Sequence, residues 1–329
     1  MFHQQEMFFL RIIAVPRERQ LQVEADGSFS YIARKTNIST LHLSCRYGKE
    51  LGGIMKPYLL DLFIASAKER TQTPGWVIRW YLSIFEPPLG KTLRLDMVKA
   101  LLRQSKCDLK GKRALDVGCG IGDLAFILAA RGAKVIGVEL DAGKVERANQ
   151  IAHKWNFPQE NLHFLVGDVT KLDQMNLGLF DAIFCVALLE HIQDDVALLE
   201  QIQHLLCPGG FFILEVPSAA RKTIPEVEAE DGHVRPGYFF EEVPALLSRT
   251  GFHLVATRTM DSLGLRYRWC ASSRILPGRT ARGQLFAVFA PVFIPLIRLT
   301  SMLVKRPGAE LCFLAVKERV LGTSPSTDG

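Results

Sequence analysis

Ala114-Leu115-Asp116-Val117-Gly118-Cys119-Gly120-Ile121-Gly122 is an apolar run that ends in three glycines at alternate positions. Such a stretch reads as a strand entering a sharp turn, because glycine takes backbone angles and close approaches that other residues resist. Leu124–Arg131 follows with helical spacing, so the unit is strand, glycine loop, helix. Further strand-like runs occur at Lys134–Glu139, Leu162–Val166, Ala182–Val186, Phe211–Val216, His253–Thr257 and Ala309–Lys317. Between them, Gly143–Lys154, Asp194–Leu206 and Phe240–Arg249 have the spacing of amphipathic helices, the last ended by Gly251. Strands alternating with helices predict a parallel sheet with helices on both faces.

Two ligand classes compete for the glycine loop. The dinucleotide fingerprint is G-x-G-x-x-G, which asks for glycine where this chain has Asp123. Here the third glycine comes one residue early, and Asp116 precedes the first by two. A carboxylate beside the loop repels a pyrophosphate but suits the cationic methionine portion of S-adenosylmethionine. The N-terminus of the helix beyond the loop, with its N–H groups and partial positive charge, suits that ligand's carboxylate. A phosphate loop is excluded more simply, since no Gly-Lys-Ser/Thr follows. Val135-Ile136-Gly137-Val138-Glu139 is a second strand, and its terminal acid, 17 residues after Gly122, can accept hydrogen bonds from both ribose hydroxyls. Phe164-Leu165-Val166-Gly167-Asp168 is a third, ending in an acid whose oxygen can meet an adenine amino group. An acid at a strand end can equally be a solvated cap; it is the ordered set of three that points to one ligand.

Taken together these residues resemble the class I S-adenosylmethionine-dependent methyltransferases, in particular the group containing the ubiquinone and menaquinone methyltransferases. The resemblance covers roughly residues 110–260. It includes Phe180-Asp181-Ala182-Ile183, continuing into Leu188-Leu189-Glu190-His191-Ile192, and the loop Leu206-Cys207-Pro208-Gly209-Gly210 before the fifth strand. It implies an α/β fold with a Rossmann-like, doubly wound, mostly parallel seven-stranded sheet. It also implies that Asp116, Gly118, Gly120 and Gly122 cradle the methionine end of the cofactor, with Glu139 at the ribose and Asp168 at the adenine. The implied reaction is transfer of a methyl group to a small acceptor, O-methylation ahead of C-methylation; the apolar insertion at 262–308 adds the expectation that this acceptor is hydrophobic. The competing readings are a nicotinamide-dependent dehydrogenase and a non-catalytic, cofactor-binding scaffold at a membrane.

Methyl transfer from a sulfonium is an in-line displacement, so the protein mainly aligns the two partners, and a base is needed only where the acceptor carries a proton. Two histidines are candidates for that base. His191 lies just beyond the fourth strand, near the place where open α/β sheets bind ligands. His233 sits in the polar segment Glu230–Tyr238, between the fifth strand and the next helix. Either could instead be a structural histidine bonding the backbone at a junction. Some quinone O-methyltransferases use acids and a histidine near this region for a divalent metal. Ala187 stands where those enzymes carry a further glutamate, so no metal is expected.

The flanks are less informative. Residues 1–54 show little periodicity and read as an N-terminal extension. Residues 55–112 read as a helical cap, with helical spacing at Pro57–Lys68, Gly75–Phe85 and Lys91–Gln104; the core follows at 113–261. Residues 262–308 form a basic, apolar insertion before the last strand and polar tail at 309–329. From Ser262 to Gly308 there are eight basic residues and no acidic one, more than the whole net charge of +6. The remainder is slightly acidic, which argues against a nucleic-acid partner. Leu285–Ile297 is thirteen residues without a polar side chain, but Pro291, Pro295 and Arg298 interrupt what would have to be about 20 for a spanning helix. Three uses of the insertion stay open: a wall of an apolar acceptor pocket, contact with a membrane surface, or a partner interface. Seven scattered cysteines without C-x-x-C, and no evident signal peptide, lead to the expectation of free thiols and a cytoplasmic protein.

Overall fold

The computed structural model describes residues 20–23, 29–32, 61, 89–105, 108–221, 232–260, 296–301, 303 and 307–317. Seven strands form one sheet: β3 (Arg113–Val117), β4 (Lys134–Glu139), β5 (Leu162–Val166), β6 (Phe180–Val186), β7 (Leu206–Pro217), β8 (Phe252–Met260) and β9 (Glu310–Lys317). Their order is β5-β4-β3-β6-β7-β9-β8. The first five run parallel, and β9 is antiparallel to both β7 and β8. Strand order reverses between β3 and β6, which makes their carboxyl ends the place for a ligand. A separate antiparallel pair, β1 (Gln20–Val23) and β2 (Phe29–Ile32), lies in the N-terminal extension, where the sequence showed no period.

The strands at the centre of the sheet are mainly apolar because both faces are covered. Alternate residues divide between two cores. Ala114, Phe164, Ala182, Phe184, Phe211 and Ile213 face α1 (Leu89–Gln104), α2 (Asp123–Ala129) and α3 (Ala142–Lys154). Leu115, Val117, Ile183, Cys185, Phe212 and Leu214 face α4 (Asp195–Leu205) and α5 (Glu242–Arg249). The doubly wound, mostly parallel seven-stranded sheet anticipated from the sequence is therefore the fold. Cys119, Cys185, Cys207 and Cys312 are free thiols among the described residues.

Local chemistry sets several boundaries. Asp141 caps α3 by accepting hydrogen bonds from the amides of Gly143 (2.8 Å) and Lys144 (3.2 Å). Asp141→Ala is expected to lower stability by about 1 kcal/mol, read as a fall of about 2–4 °C in Tm. α5 starts at Glu242, two residues after the expected Phe240, where the Glu242 carboxylate accepts from the Phe239 amide at 2.9 Å. The stretch Leu206–Gly210, read as a loop, is the start of β7; a bulge against β6 absorbs its irregularity. β8 runs to Met260 rather than Thr257 because its pairing with β9 continues as far as Glu310.

The cap and the insertion meet in α1. That helix lies against β7, β8 and β9 with Leu93, Met97, Val98 and Leu101 buried. On another side its Asp96 carboxylate accepts from Arg298 at 2.6 and 3.1 Å, beside the buried Ile297. Arg298, which broke the apolar run in the sequence, is thus an anchor of the insertion. The expected helix Gly75–Phe85, most of Pro57–Lys68, and most of the apolar run Leu285–Ile297 lie outside the described residues. Among the described residues no helix is long and apolar enough to cross a membrane.

Candidate active site

The glycine loop joins β3 to α2 at the reversal point of the sheet. Gly118, Gly120 and Gly122 all have positive φ, at 69°, 58° and 89°. A β-carbon on Gly120 would meet nothing within 4 Å, so this residue opens the loop towards a ligand. A β-carbon on Gly122 would come within 2.5 Å of the Phe164 ring. The loop is fastened to β4: Gly118 and Cys119 donate to the Val138 carbonyl at 2.9 and 3.0 Å, and Gly120 donates to Glu139 Oε2 at 2.9 Å. These amides therefore shape the loop rather than meet a ligand. Any carboxylate bound here faces the first turn of α2 instead.

Three acids surround the loop. Asp116 is buried, accepts a hydrogen bond from the Ala125 amide in α2, and lies near Asp123 and Glu139. Burial, followed by the repulsion of those two acids, raises its pKa to about 7. This concentration of negative charge disfavours a pyrophosphate and favours a cationic ligand. A cation beside Asp116 draws off its proton. The expected outcome is that affinity for S-adenosylmethionine rises about tenfold between about pH 6 and 8 with release of a proton, measured by calorimetry in buffers of different ionisation enthalpy. The same shift makes the unliganded protein bind more protons than its unfolded chain between about pH 4 and 7, so Asp116 alone makes stability fall as pH rises through that window.

Glu139 stands at the end of β4, and its Oε1 accepts from the Asp141 amide at 3.1 Å, with Lys144 Nζ 4.0 Å away. Asp168 ends the β5 segment and caps the 3-10 turn Val169–Met175, accepting from the amide (3.0 Å) and hydroxyl (2.7 Å) of Thr170. Those two hydrogen bonds hold its pKa below the usual carboxylate range. Asp168 thus acts as a cap through Oδ1, and its other oxygen is what could meet an adenine. Between these acids, Leu140 is 69% and Val166 53% exposed. Exposed apolar side chains flanking Glu139 and Gly167 suit the faces of an adenine ring. Sequence reading missed both, because a single exposed leucine carries no signal by itself.

The two histidines come together. His191 ends the 3-10 turn Leu189–His191, and its ring lies edge-on to that of His233, with centroids 4.5 Å apart. His191 Nδ1 lies 3.2 Å from the Gly232 carbonyl, so the backbone contact expected of a structural histidine is present. The loop carrying His233 is pinned along the same segment. Val234 donates to the Glu190 carbonyl (3.0 Å), Arg235 to the carbonyls of Ile192 and Gln193, and Tyr238 Oη to Asp195 Oδ2 (2.8 Å). Leu188 packs on the α-carbon of Gly118, where a β-carbon would come within 2.7 Å of it, so the histidine segment adjoins the glycine loop. Ala187, between β6 and this segment, is held at φ 52°, a costly conformation for a residue with a β-carbon.

Behind the histidines lie carboxyls that the sequence did not single out. Glu190, Glu215 and Glu310 are buried, and Arg94 from α1 reaches Glu215 at 3.5 Å and Glu310 at 3.9 Å. Burial pushes the pKa of Glu190 and Glu215 up, with Arg94 opposing. In sequence the latter two acids are single charges inside apolar strands; only strand pairing makes them neighbours.

Residues 108–256 match the family model of a methyltransferase domain. The ubiquinone biosynthesis O-methyltransferase of Psychrobacter arcticus is 36% identical over 112 residues, covering 34% of this chain and 43% of that protein. The enzyme of the same name from Albidiferax ferrireducens is 33% identical over 131 residues, covering 40% of this chain and 49% of that protein. The chain thus spans less than half the length of these curated relatives. Among solved structures, phosphoethanolamine N-methyltransferase 2 of Haemonchus contortus, in complex with S-adenosyl-L-methionine, has a TM-score of 0.50 at 21% identity. That match covers 67% of this chain and 52% of the other, and is a likeness of fold.

Proposed function

We propose, from the premise that residues 108–256 are a class I S-adenosylmethionine-dependent methyltransferase domain, that this chain methylates a hydroxyl of a small, hydrophobic acceptor. The observation that carries the reading is the loop itself: Gly120 open towards a ligand, ringed by Asp116, Asp123 and Glu139. S-adenosylmethionine supplies a methyl group on a positively charged sulfur. Asp116 and the first turn of α2 hold its methionine end, Glu139 the ribose, and Asp168 with Leu140 and Val166 the adenine. The acceptor oxygen attacks the methyl carbon in line, the carbon–sulfur electron pair passes to sulfur, and S-adenosylhomocysteine leaves.

The hydroxyl proton goes to the pair His191 and His233, on the segment that adjoins the glycine loop through Leu188. An apolar acceptor is supported by Val234, 47% exposed, and Phe239, 50% exposed, on the loop that carries His233. It is supported also by the likeness to enzymes named for ubiquinone biosynthesis. A nicotinamide dehydrogenase is not favoured, since the acids repel a pyrophosphate and the matched family is a methyltransferase domain.

The test is calorimetric titration of the full chain with S-adenosylmethionine and, in parallel, NADH, followed by a panel of apolar phenols and polar hydroxyl compounds with the methyl donor. Saturable binding of the donor alone, and methylation of apolar phenols, is expected. Binding of NADH without the methyl donor would overturn the reading. Transfer to the polar compounds alone would overturn the choice of acceptor.

A further inference from the structure

Residues 296–301 and 303, near the end of the basic insertion, are helical. Leu296, Leu299 and Leu303 on this helix are all exposed, Leu303 to 71%. At about 100° per residue the three fall on one stripe about 60° wide. The other described side chains of the helix are turned inward or engaged. Ile297 is buried, Arg298 donates to Asp96 of α1 at 2.6 and 3.1 Å, and the hydroxyls of Thr300 and Ser301 donate back to the Ile297 carbonyl at 3.1 and 2.7 Å. The Arg298–Asp96 pair and the buried Ile297 thus fix the roll of the helix so that its leucines face out. Single exposed leucines are ordinary, but three in a row on an anchored helix make an apolar surface.

We propose that this leucine stripe docks on the surface of an anionic lipid bilayer, the leucines entering the headgroup boundary and the basic residues of the insertion meeting lipid phosphates. The charge of the sequence around the helix selects that occupant. Arg279 and Arg282 precede it, Lys305 and Arg306 follow it, and no acidic residue occurs from Ser262 to Gly308. An apolar helical face between cationic flanks is what binding in a bilayer interface requires. A second copy of the chain would bring two basic segments together, which like-charge repulsion opposes. A nucleic acid would answer the charge but leave the leucines in water. The stripe lies outside residues 108–256, so it is an addition to the methyltransferase domain rather than a part of it. Its anchor, Asp96, is two residues from Arg94, which reaches Glu215 at 3.5 Å near the carboxyl end of β7. That is the end of the sheet where the ligand binds. A bilayer held there is a source of apolar acceptor; that consequence rests on the methyltransferase reading, whereas the docking itself does not.

The probe is a vesicle of phosphatidylcholine, alone or with about one-third phosphatidylglycerol, sedimented with the full chain in the absence of methyl donor. Binding to the anionic vesicles is expected at about 0.1 M salt, and a fall of at least about tenfold at about 1 M salt or without phosphatidylglycerol. In the double variant Leu299→Ser, Leu303→Ser, affinity for anionic vesicles is expected to fall by at least about tenfold, through the lost apolar burial. Leu179→Ser, which removes an exposed leucine just before β6, should bind as the native chain does. Thermal melts check that each variant is folded; Leu296→Ser with Leu303→Ser serves in place of the first pair should that one unfold. No binding by the native chain, equal binding to neutral vesicles, or binding indifferent to the leucines in a folded variant overturns the proposal. So does a dimer in analytical ultracentrifugation that the leucine variant dissociates, with no vesicle binding, since the occupant is then a second copy. Binding of S-adenosylmethionine, titrated separately without vesicles, reports on the methyltransferase reading alone, so failure of one is distinguishable from failure of the other.

Discussion

Glu139→Ala is expected to weaken binding of S-adenosylmethionine by about 100-fold while leaving the chain folded. Two effects act in the same direction. The carboxylate is the ribose acceptor in the proposed site, and hydrogen bonds to a charged group contribute about 1.5–3 kcal/mol, where 1.4 kcal/mol is about tenfold in affinity. It also holds the loop, since Oε2 accepts from the Gly120 amide at 2.9 Å and Oε1 from the Asp141 amide at 3.1 Å. Its removal leaves Gly120, the open residue of the cradle, without the contact that fixes its angles. Glu139→Gln separates the two roles, because the amide oxygen can still accept from Gly120 but without the charge. Calorimetry should place the glutamine variant between the native chain and the alanine variant. Equal affinity in all three would remove Glu139 from the cofactor site and leave it as a loop anchor only.

How much of this could be read from sequence depends on the range of the interactions. All seven strands of the main sheet were legible, because a strand covered on both faces is apolar along its length and the intervening helices keep their own period. The glycine loop was legible because its whole geometry is encoded within nine residues, Ala114 to Gly122. Asp168 was only half legible: its position at a strand end is local, but its use as a cap depends on Thr170 folding back. The short 3-10 turns at Val169–Met175 and Leu189–His191 passed unread, being too brief for a period to show. What stayed hidden was every pairing made by the fold. His191 and His233 are 42 residues apart, and Asp96 and Arg298 are 202 apart. Glu215 and Glu310, single acids within apolar strands, become neighbours only because β7 and β9 pair in the register that sets Glu215 opposite Cys312 and Pro217 opposite Glu310. Gly137 looked like an ordinary strand residue, yet a β-carbon there would come within 2.7 Å of the Phe164 ring and 2.8 Å of Cys119 Sγ.

That last contact makes Gly122→Ala the most damaging single-methyl change expected in the loop. Phe164 packs on both Gly122 and Gly137, and a β-carbon on Gly122 would fall 2.5 Å from its ring. The ring has little room to move, because Gly137 also packs along its Cδ1–Cε1 edge and Phe126 lies against it with centroids 5.5 Å apart. Gly122 also has φ 89°, so alanine adds backbone strain of about 1 kcal/mol to an overpacking cost of about 1–3 kcal/mol. A loss of about 3 kcal/mol is expected, seen as a fall of about 6–12 °C in Tm. Gly120→Ala is the matched control. Its φ of 58° carries a similar backbone cost, but its β-carbon would meet nothing within 4 Å. The Gly120 variant should therefore lose only about 1 kcal/mol of stability yet bind the methyl donor poorly, since its methyl occupies the space left for the ligand. Thermal melts and donor titrations on the two variants separate a glycine kept for packing from one kept for approach. If Gly120→Ala bound S-adenosylmethionine as the native chain does, the open side of Gly120 would not be where the donor lies.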